Sequence, residues 1–525
     1  VFNGFFPNYY TFEYFKNEPE SAFVLIQDSI AWYEIVVILL GVITLFTWWK
    51  NATGRHWVWN SRIRVLSMGS FLLLSFSGVV WQVKKYDQCF IVDVNFAADI
   101  QRHMVDYETH RSFKGKGLGR RTSHELSRHE NVNQLNVLVV VFESLRNQNL
   151  QLYGYHRATT PNWLRFQRKH PKDSFLFKKP YAVSSTTMLA VPAVLSGIAP
   201  YQDSSLLYHQ PLIWSYGKSC GMKTFFLSSH TLKWYRFDRF YANEPLDYMW
   251  NKETSGKEFY NDMGVDDRHT IKALIQQMKR LGKQPFFGVV QLNGTHYPYK
   301  VEDTMKKWKG TFVDEYDNAI RYEDQLLQSL FSYLERSERL KNTVIVFTSD
   351  HGESLKDHNN IGHVDSYYRE AISVPLVFYI PKEIQARLPM NAFTANRNKL
   401  TSTIDIAPTL IDILGLRDKT DVKNVYGNYS GYSLFANVPK NRSLITMNNN
   451  RIARFKVGIS VINSTHHFIF RSNIVPNREE LYVLKNDPKE TKNEWKQQRK
   501  STMNWIKRVV SSYPEAQHYL PASWK

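Results

Sequence analysis

From Leu135 onward one pattern recurs: a short run of β-branched and aromatic residues, then a longer stretch with helical spacing. Leu135–Phe142, Thr224–Leu227, Pro285–Leu292, Thr343–Phe347 and Val374–Ile380 read as buried strands. Asp267–Leu281 and Val313–Arg336 carry apolar residues at helical intervals. This alternation predicts an α/β fold with a mostly parallel sheet flanked by helices. No internal repeat or low-complexity tract interrupts it, and the tail Asn477–Lys525 is charged and ends with helical spacing.

Ahead of this region the chain is different in kind. Ile35–Trp49 and Val65–Val83 are apolar, and Trp48, Trp49 and Trp81 stand at their ends as interfacial aromatics do. Both are expected to be membrane helices. The loop between them holds Lys50, Arg55, Arg62 and Arg64 and no acid, which places it in the cytoplasm and the C-terminal part outside. The expected organisation is a membrane anchor over 1–87, a basic interfacial linker over 88–133 and a catalytic domain over 134–525. Because the sequence opens on Val1, it is taken as a fragment or processed form. A formal charge of +19 calls for an anionic partner. With membrane segments and no nucleic-acid module, that partner is expected to be acidic lipid, not nucleic acid. Two cysteines, Cys89 and Cys220, and no CxxC motif leave pairing open.

The polar residues that punctuate the apolar runs carry the chemistry. Glu143 follows Val137–Phe142, and Asp350 and His351 sit just beyond Thr343–Phe347 in Ser349-Asp-His-Gly-Glu-Ser354. His296 follows Pro285–Leu292, and His363 lies twelve positions after His351. Strand ends are where open α/β sheets collect ligands. A carboxylate in such a place is more commonly a cap or an ion-pair partner. Thr187 opens a helical stretch, where the dipole favours an alkoxide and attracts phosphate, although a plain N-cap is the commoner use of threonine. Chemistry alone does not separate it from Thr186. Carboxylate, imidazole and threonine oxygens together suit tetrahedral Zn2+, with another divalent ion such as Mn2+ as the alternative. Such an ion would lower the hydroxyl's pKa and neutralise phosphate charge. His466 and His467 fall outside this pattern and read as structural.

The order Glu143, Thr187, His296, Asp350-His351, His363 resembles the alkaline phosphatase/sulfatase superfamily, above all the membrane-bound phosphoethanolamine transferases of bacterial envelopes. Glu143-Ser-Leu-Arg146 with Leu152-Tyr-Gly-Tyr-His-Arg-Ala-Thr-Thr-Pro161 is similar to a stretch of those enzymes. Their nucleophile segment, Thr-x-x-x-Val-Pro, matches Thr187–Pro192 and selects Thr187. The resemblance runs from about Leu135 to Gly415. It implies one α/β catalytic domain with a first zinc on Glu143, Thr187, Asp350 and His351. His296 and His363 would then hold a second zinc or the substrate phosphate.

It further implies that Thr187 takes phosphoethanolamine from a membrane phospholipid and passes it to lipid A or another envelope glycan. The catalytic domain would stand on the periplasmic side of a bacterial inner membrane. Three features depart from that pattern: two apolar segments where five are usual, Ala193 in place of a disulfide cysteine, and a tail, Glu480–Asn493, similar to that of sulfatases. A phosphoglycerol transferase is the alternative suggested by His296-Tyr-Pro-Tyr299, and a phosphodiesterase or sulfatase-like hydrolase is the other. Sulfatases convert a Cys or Ser in a Cys/Ser-x-Pro-x-Arg setting, which Thr187–Val191 lacks. A non-enzymatic envelope protein would be expected to have lost some of these six positions, and all are filled.

Overall fold

The computed structural model describes residues 118–130, 135–364, 366–449, 454–471, 479–518, 520 and 524. The two expected membrane segments lie outside these residues. No helix among the described residues is long and apolar enough to cross a membrane.

Seven strands form the main sheet: β1 (Asn136–Phe142), β2 (Ser174–Leu176), β3 (Lys223–Ser228), β4 (Tyr248–Trp250), β5 (Phe286–Leu292), β6 (Thr343–Ser349) and β7 (Leu376–Tyr379). Their spatial order is β2-β7-β6-β1-β5-β3-β4. The five strands from β6 to β4 are parallel. β7 runs antiparallel to β6, and β2 antiparallel to β7, so the sheet is mixed at one edge. All five expected strands are present, with the last one reversed in direction.

The continuous apolar runs have a simple cause. Val137, Val139 and Val141 of β1 point into one core, while Leu138, Val140 and Phe142 point into another. A strand covered on both faces has no solvent side to make polar. Helices α1 (Pro161–Lys169), α2 (Thr187–Ser196), α3 (Asp267–Arg280), α4 (Phe312–Arg336) and α5 (Ile406–Ile413) supply the covers. α1, α3 and α4 pack on one face; Phe166 of α1 stacks on Phe331 of α4 at 4.1 Å, and Trp163 meets Phe347 of β6 at 4.8 Å. α2 and α5 share the opposite face.

A second, four-stranded antiparallel sheet was not expected from the sequence. It comprises β8 (Leu444–Asn449), β9 (Arg454–Ile462), β10 (His466–Arg471) and β11 (Glu479–Val483), in that spatial order. α6 (Trp495–Ser511) packs against it through Trp495, Ile506 and Val510. Val183 and Ala193, which flank the start of α2, belong to the same apolar cluster.

Residues 118–130, placed by the sequence reading in the basic linker, pack against the part of the fold built on the main sheet. Leu118 is buried, and Thr122 and His124 donate backbone hydrogen bonds to Tyr208 and His209. Arg121 is buried against Glu244 at 2.8 Å.

Candidate active site

Parallel pairing of β1 with β6 sets Phe142 opposite Ser349. The residues that follow, Glu143 and Asp350, therefore emerge side by side at the C-terminal edge of the sheet. Ser349 ties the two strand ends together: its hydroxyl lies 2.8 Å from the carbonyls of Phe142 and His351 and accepts from Leu145 N at 2.9 Å. Ser144 adopts a left-handed backbone (φ 57°), which aims its N–H at Asp350 Oδ1, 3.1 Å away. Such strain in a non-glycine residue is maintained where the surroundings over-determine it. Arg146 donates to the Glu353 carbonyl at 3.0 Å and to Asp357 at 2.5 Å, pinning the loop after His351. Gly352 is obligatory there, since a Cβ would lie 2.2 Å from the Glu370 carbonyl oxygen.

Thr187 is the first residue of α2, with Thr186 as its N-cap. Its hydroxyl does not cap the helix; it lies 2.8 Å from Glu143 Oε1 and 3.0 Å from His351 Nε2. His351 Nε2 is in turn 3.3 Å from both Glu143 Oε1 and Asp350 Oδ2. His351 Nδ1 sits 2.9 Å from the Gly352 carbonyl, which can only accept. Nδ1 therefore carries a proton, and Nε2 is the nitrogen turned to the cluster.

Glu143, Asp350 and His351 each offer one ligand atom, all within 4.8 Å of one another, and all three side chains are fully buried. Glu143 Oε2 and Asp350 Oδ2 are buried with no hydrogen-bond partner. Orphaned carboxylate oxygens in a dry site are costly unless a cation satisfies them. These residues fit a dication, and the donor set is one that zinc accepts.

The electrostatics agree. Burial alone would raise the Glu143 carboxyl, but the His351 hydrogen bond and charge hold it well below the carboxylate range. Asp350, desolvated and beside Glu143, is pushed up to about 8. Burial opposes protonation of His351, yet Asp350 and Glu143 bring it to about 9. Two carboxylates and an imidazole here share protons that a cation would displace.

His363 and His296 stand beside this cluster. The His363 ring is centred 4.0 Å from that of His351 and 6.4 Å from that of His296. His363 Nδ1 is 3.3 Å from Glu353 Oε1, and burial lowers its basicity. His296 Nδ1 lies 3.3 Å from Asp262 Oδ1; against the penalty of burial, Asp262 raises it to about 9. Its loop is held from below by Asp267, which accepts from Asn293 N at 2.9 Å and Gly294 N at 2.6 Å. Thr295 Oγ1 donates to the Glu143 carbonyl at 2.6 Å.

All six positions singled out in the sequence thus converge on one place. Three neighbours were missed: Glu353, Asp262 and His230. His230 is buried two residues past the end of β3, its Nε2 3.7 Å from Glu143 Oε2. The strand-end logic that picked out His296 could have found it. His467, read as structural, is buried against Glu490 at 2.6 Å.

A hydroxyl at a helix N-terminus, facing a carboxylate-imidazole cluster at the carboxyl edge of an α/β sheet, is an arrangement on which phosphoryl- and sulfuryl-transfer chemistry can be built. The sulfatase family profile matches residues 135–416, and the chain belongs to that family, with the fold of the alkaline phosphatase superfamily. It is homologous to phosphoethanolamine transferase EptC of Escherichia coli O18:K1:H7 (strain RS218 / NMEC), 23% identical over 309 residues, 53% of this chain and 51% of that protein. An endo-4-O-sulfatase of Bacteroides thetaiotaomicron (strain VPI-5482) is 26% identical over 216 residues, 35% of this chain and 40% of that one. The crystal structure of the C-terminal periplasmic domain of Escherichia coli EptC superposes with a TM-score of 0.51 at 21% identity, covering 66% of this chain and 96% of that domain. The chain spans about half the length of the EptC relatives it matches.

Proposed function

We propose that the protein is a membrane-anchored phosphoethanolamine transferase. Thr187 would take the headgroup from a phospholipid and pass it to an envelope glycolipid or glycan such as lipid A. The observation that carries this reading is the Thr187 hydroxyl, 2.8 Å from Glu143 and 3.0 Å from His351 at the start of α2. The similarity to EptC supports the choice of donor group. In the proposed first half-reaction, Thr187 Oγ1 attacks the donor phosphorus, the bond from phosphorus to the diacylglycerol oxygen breaks, and Thr187 becomes a phosphodiester. An acceptor hydroxyl then attacks the same phosphorus and restores the threonine.

Glu143, Asp350, His351 and Thr187 would hold a first zinc, with Mn2+ as an alternative, and His296 and His363 a second one or the phosphate. Zinc bound there would supply charge neutralisation and a more acidic threonine hydroxyl. Glu143 Oε1, accepting a hydrogen bond from Thr187, would orient the hydroxyl, and the helix N-terminus faces the developing negative charge. His296, kept protonated by Asp262, and His363 flank the space where phosphate oxygens would lie. Expected membrane helices before residue 88 would keep the catalytic unit on the outer face of the inner membrane, within reach of donor lipid.

The test is donor competition. Zinc-loaded full-length protein is given vesicles of phosphatidylethanolamine and phosphatidylglycerol with lipid A, and products are resolved by mass spectrometry. Lipid A gaining phosphoethanolamine, and none with Thr187→Ala, supports the reading. Phosphoglycerol transfer would move the assignment to the alternative, and headgroup release without transfer would make the protein a hydrolase.

A further inference from the structure

One buried amide outside the cluster has every polar atom committed to the two segments that carry Thr187 and His363. Asn448 lies in β8, the edge strand of the second sheet, and is fully buried. The outer edge of β8 runs beside the segment entering α2: Met447 N donates to the Val183 carbonyl at 2.9 Å, and Thr446 Oγ1 to the Ala182 carbonyl at 3.0 Å. Pairing with β9 is irregular at this point, Met447 opposing Ile459 and Asn449 opposing Arg454. Irregularities of this kind re-aim a side chain.

The re-aimed amide spans both functional segments. Asn448 Oδ1 accepts from Ser185 N and Ser184 Oγ, each at 2.9 Å. Its Nδ2 donates to Ser185 Oγ at 2.7 Å and to the Val364 carbonyl at 2.5 Å. Two backbone groups fix which end is which, because the N–H of Ser185 needs an oxygen and the carbonyl of Val364 needs a donor. Ser185 Oγ continues the link, 2.8 Å from the His363 carbonyl and 2.7 Å from that of Ser366. Ser184 Oγ passes it to Thr186 N at 3.2 Å. The Thr187 hydroxyl and the His363 ring reach the cluster from different parts of the chain, and Asn448 joins their backbones directly.

We propose that Asn448 is a positioning residue, setting the Thr187 segment against the His363 segment so that hydroxyl and imidazole address one phosphorus. This rests on the reading of Thr187 and His363 given above. It assigns a share of site geometry to the C-terminal sheet, beyond the 135–416 stretch that defines the family. Misplacing a reacting group by an ångström is enough to lose catalysis while substrate still binds.

Asn448→Asp tests this. It preserves side-chain volume and the acceptor toward Ser185 N, but turns an oxygen toward the Val364 carbonyl. Thr446→Val is the control, since it removes a hydrogen bond of the same junction without touching Ser185 or Val364. With a chromogenic phosphodiester and zinc-loaded full-length protein, Asn448→Asp is expected to lower kcat about 10- to 100-fold and leave KM within about threefold. Zinc affinity, read by chelator competition without turnover, is expected to fall about tenfold. Thr446→Val should lose thermal stability yet keep both values. Wild-type kcat and zinc affinity in Asn448→Asp would overturn the proposal, as would the same losses in Thr446→Val. A wild-type protein inert toward every phosphodiester would overturn the transferase reading instead, and the zinc affinities would still decide on Asn448.

Discussion

Zinc binding should be coupled to proton release, and the size of that coupling follows from the site. At neutral pH without metal, Glu143 is ionised, Asp350 titrates near 8 and His351 near 9. The metal requires a carboxylate at Asp350 and a bare Nε2 at His351, so binding at pH 7 should expel about two protons. Lowering the pH from 7 to 6 should then weaken apparent affinity about a hundredfold, or about 2.7 kcal/mol. A site resting on one imidazole of ordinary basicity would lose only about threefold over the same range. The sign is fixed: affinity rises with pH up to about 8 and levels off above about 9. Isothermal titration of metal-free protein with zinc, in two buffers of different ionisation enthalpy, counts the protons directly. Chelator competition between pH 6 and 9 gives the slope. A release near zero at pH 7, or a threefold pH effect, would refute the shared-proton picture of Glu143, Asp350 and His351.

Three further outcomes are expected. Asp350→Asn, close to isosteric, should lose most bound metal and all turnover; full zinc occupancy by elemental analysis would remove Asp350 from the ligand set. Burial, with Asp267 alongside, pushes the Glu323 carboxyl well above its usual range, so it is a neutral acid against Asp267. Glu323→Gln should therefore stay within about 1 kcal/mol of wild type in urea, whereas Glu323→Ala should cost about 2–4 kcal/mol, and equal losses would show a charged Glu323. Burial disfavours a charged His358, but Glu370, 2.8 Å away, raises its pKa from 6.5 to about 9. That pair stabilises fully below pH 6.5 and is lost as pH rises through about 9. Its worth is on the order of 1 kcal/mol after solvent screening, so thermal stability should fall over this window more in wild type than in His358→Asn.

The main sheet was legible because its strands are covered on both faces and so are apolar at successive positions, as Val137–Phe142 shows. Their ends could be located to within a residue or two, which brought Glu143, His296 and Asp350 to one edge without knowledge of pairing. Thr187 was legible as a hydroxyl opening a helical stretch, but only the spacing of a known family separated it from Thr186. The second sheet was not. In β8 to β10, polar residues such as Thr446, Ser460 and His467 occupy buried positions, and their pairing joins segments that local periodicity does not connect. Asn448 was hidden for the same reason, since its role depends on an irregular register with β9 and on contacts 84 and 263 residues away. The reversed direction of β7 is likewise a property of pairing, not of composition.

The central claim is that Thr187 carries the transferred group. Zinc-loaded protein exposed to mixed membrane phospholipids, without acceptor, should be analysed by intact mass and peptide mapping. A phosphoethanolamine adduct on Thr187, absent from Thr187→Ala, is the expected result. An adduct on another residue, or headgroup turnover that survives Thr187→Ala, would contradict it.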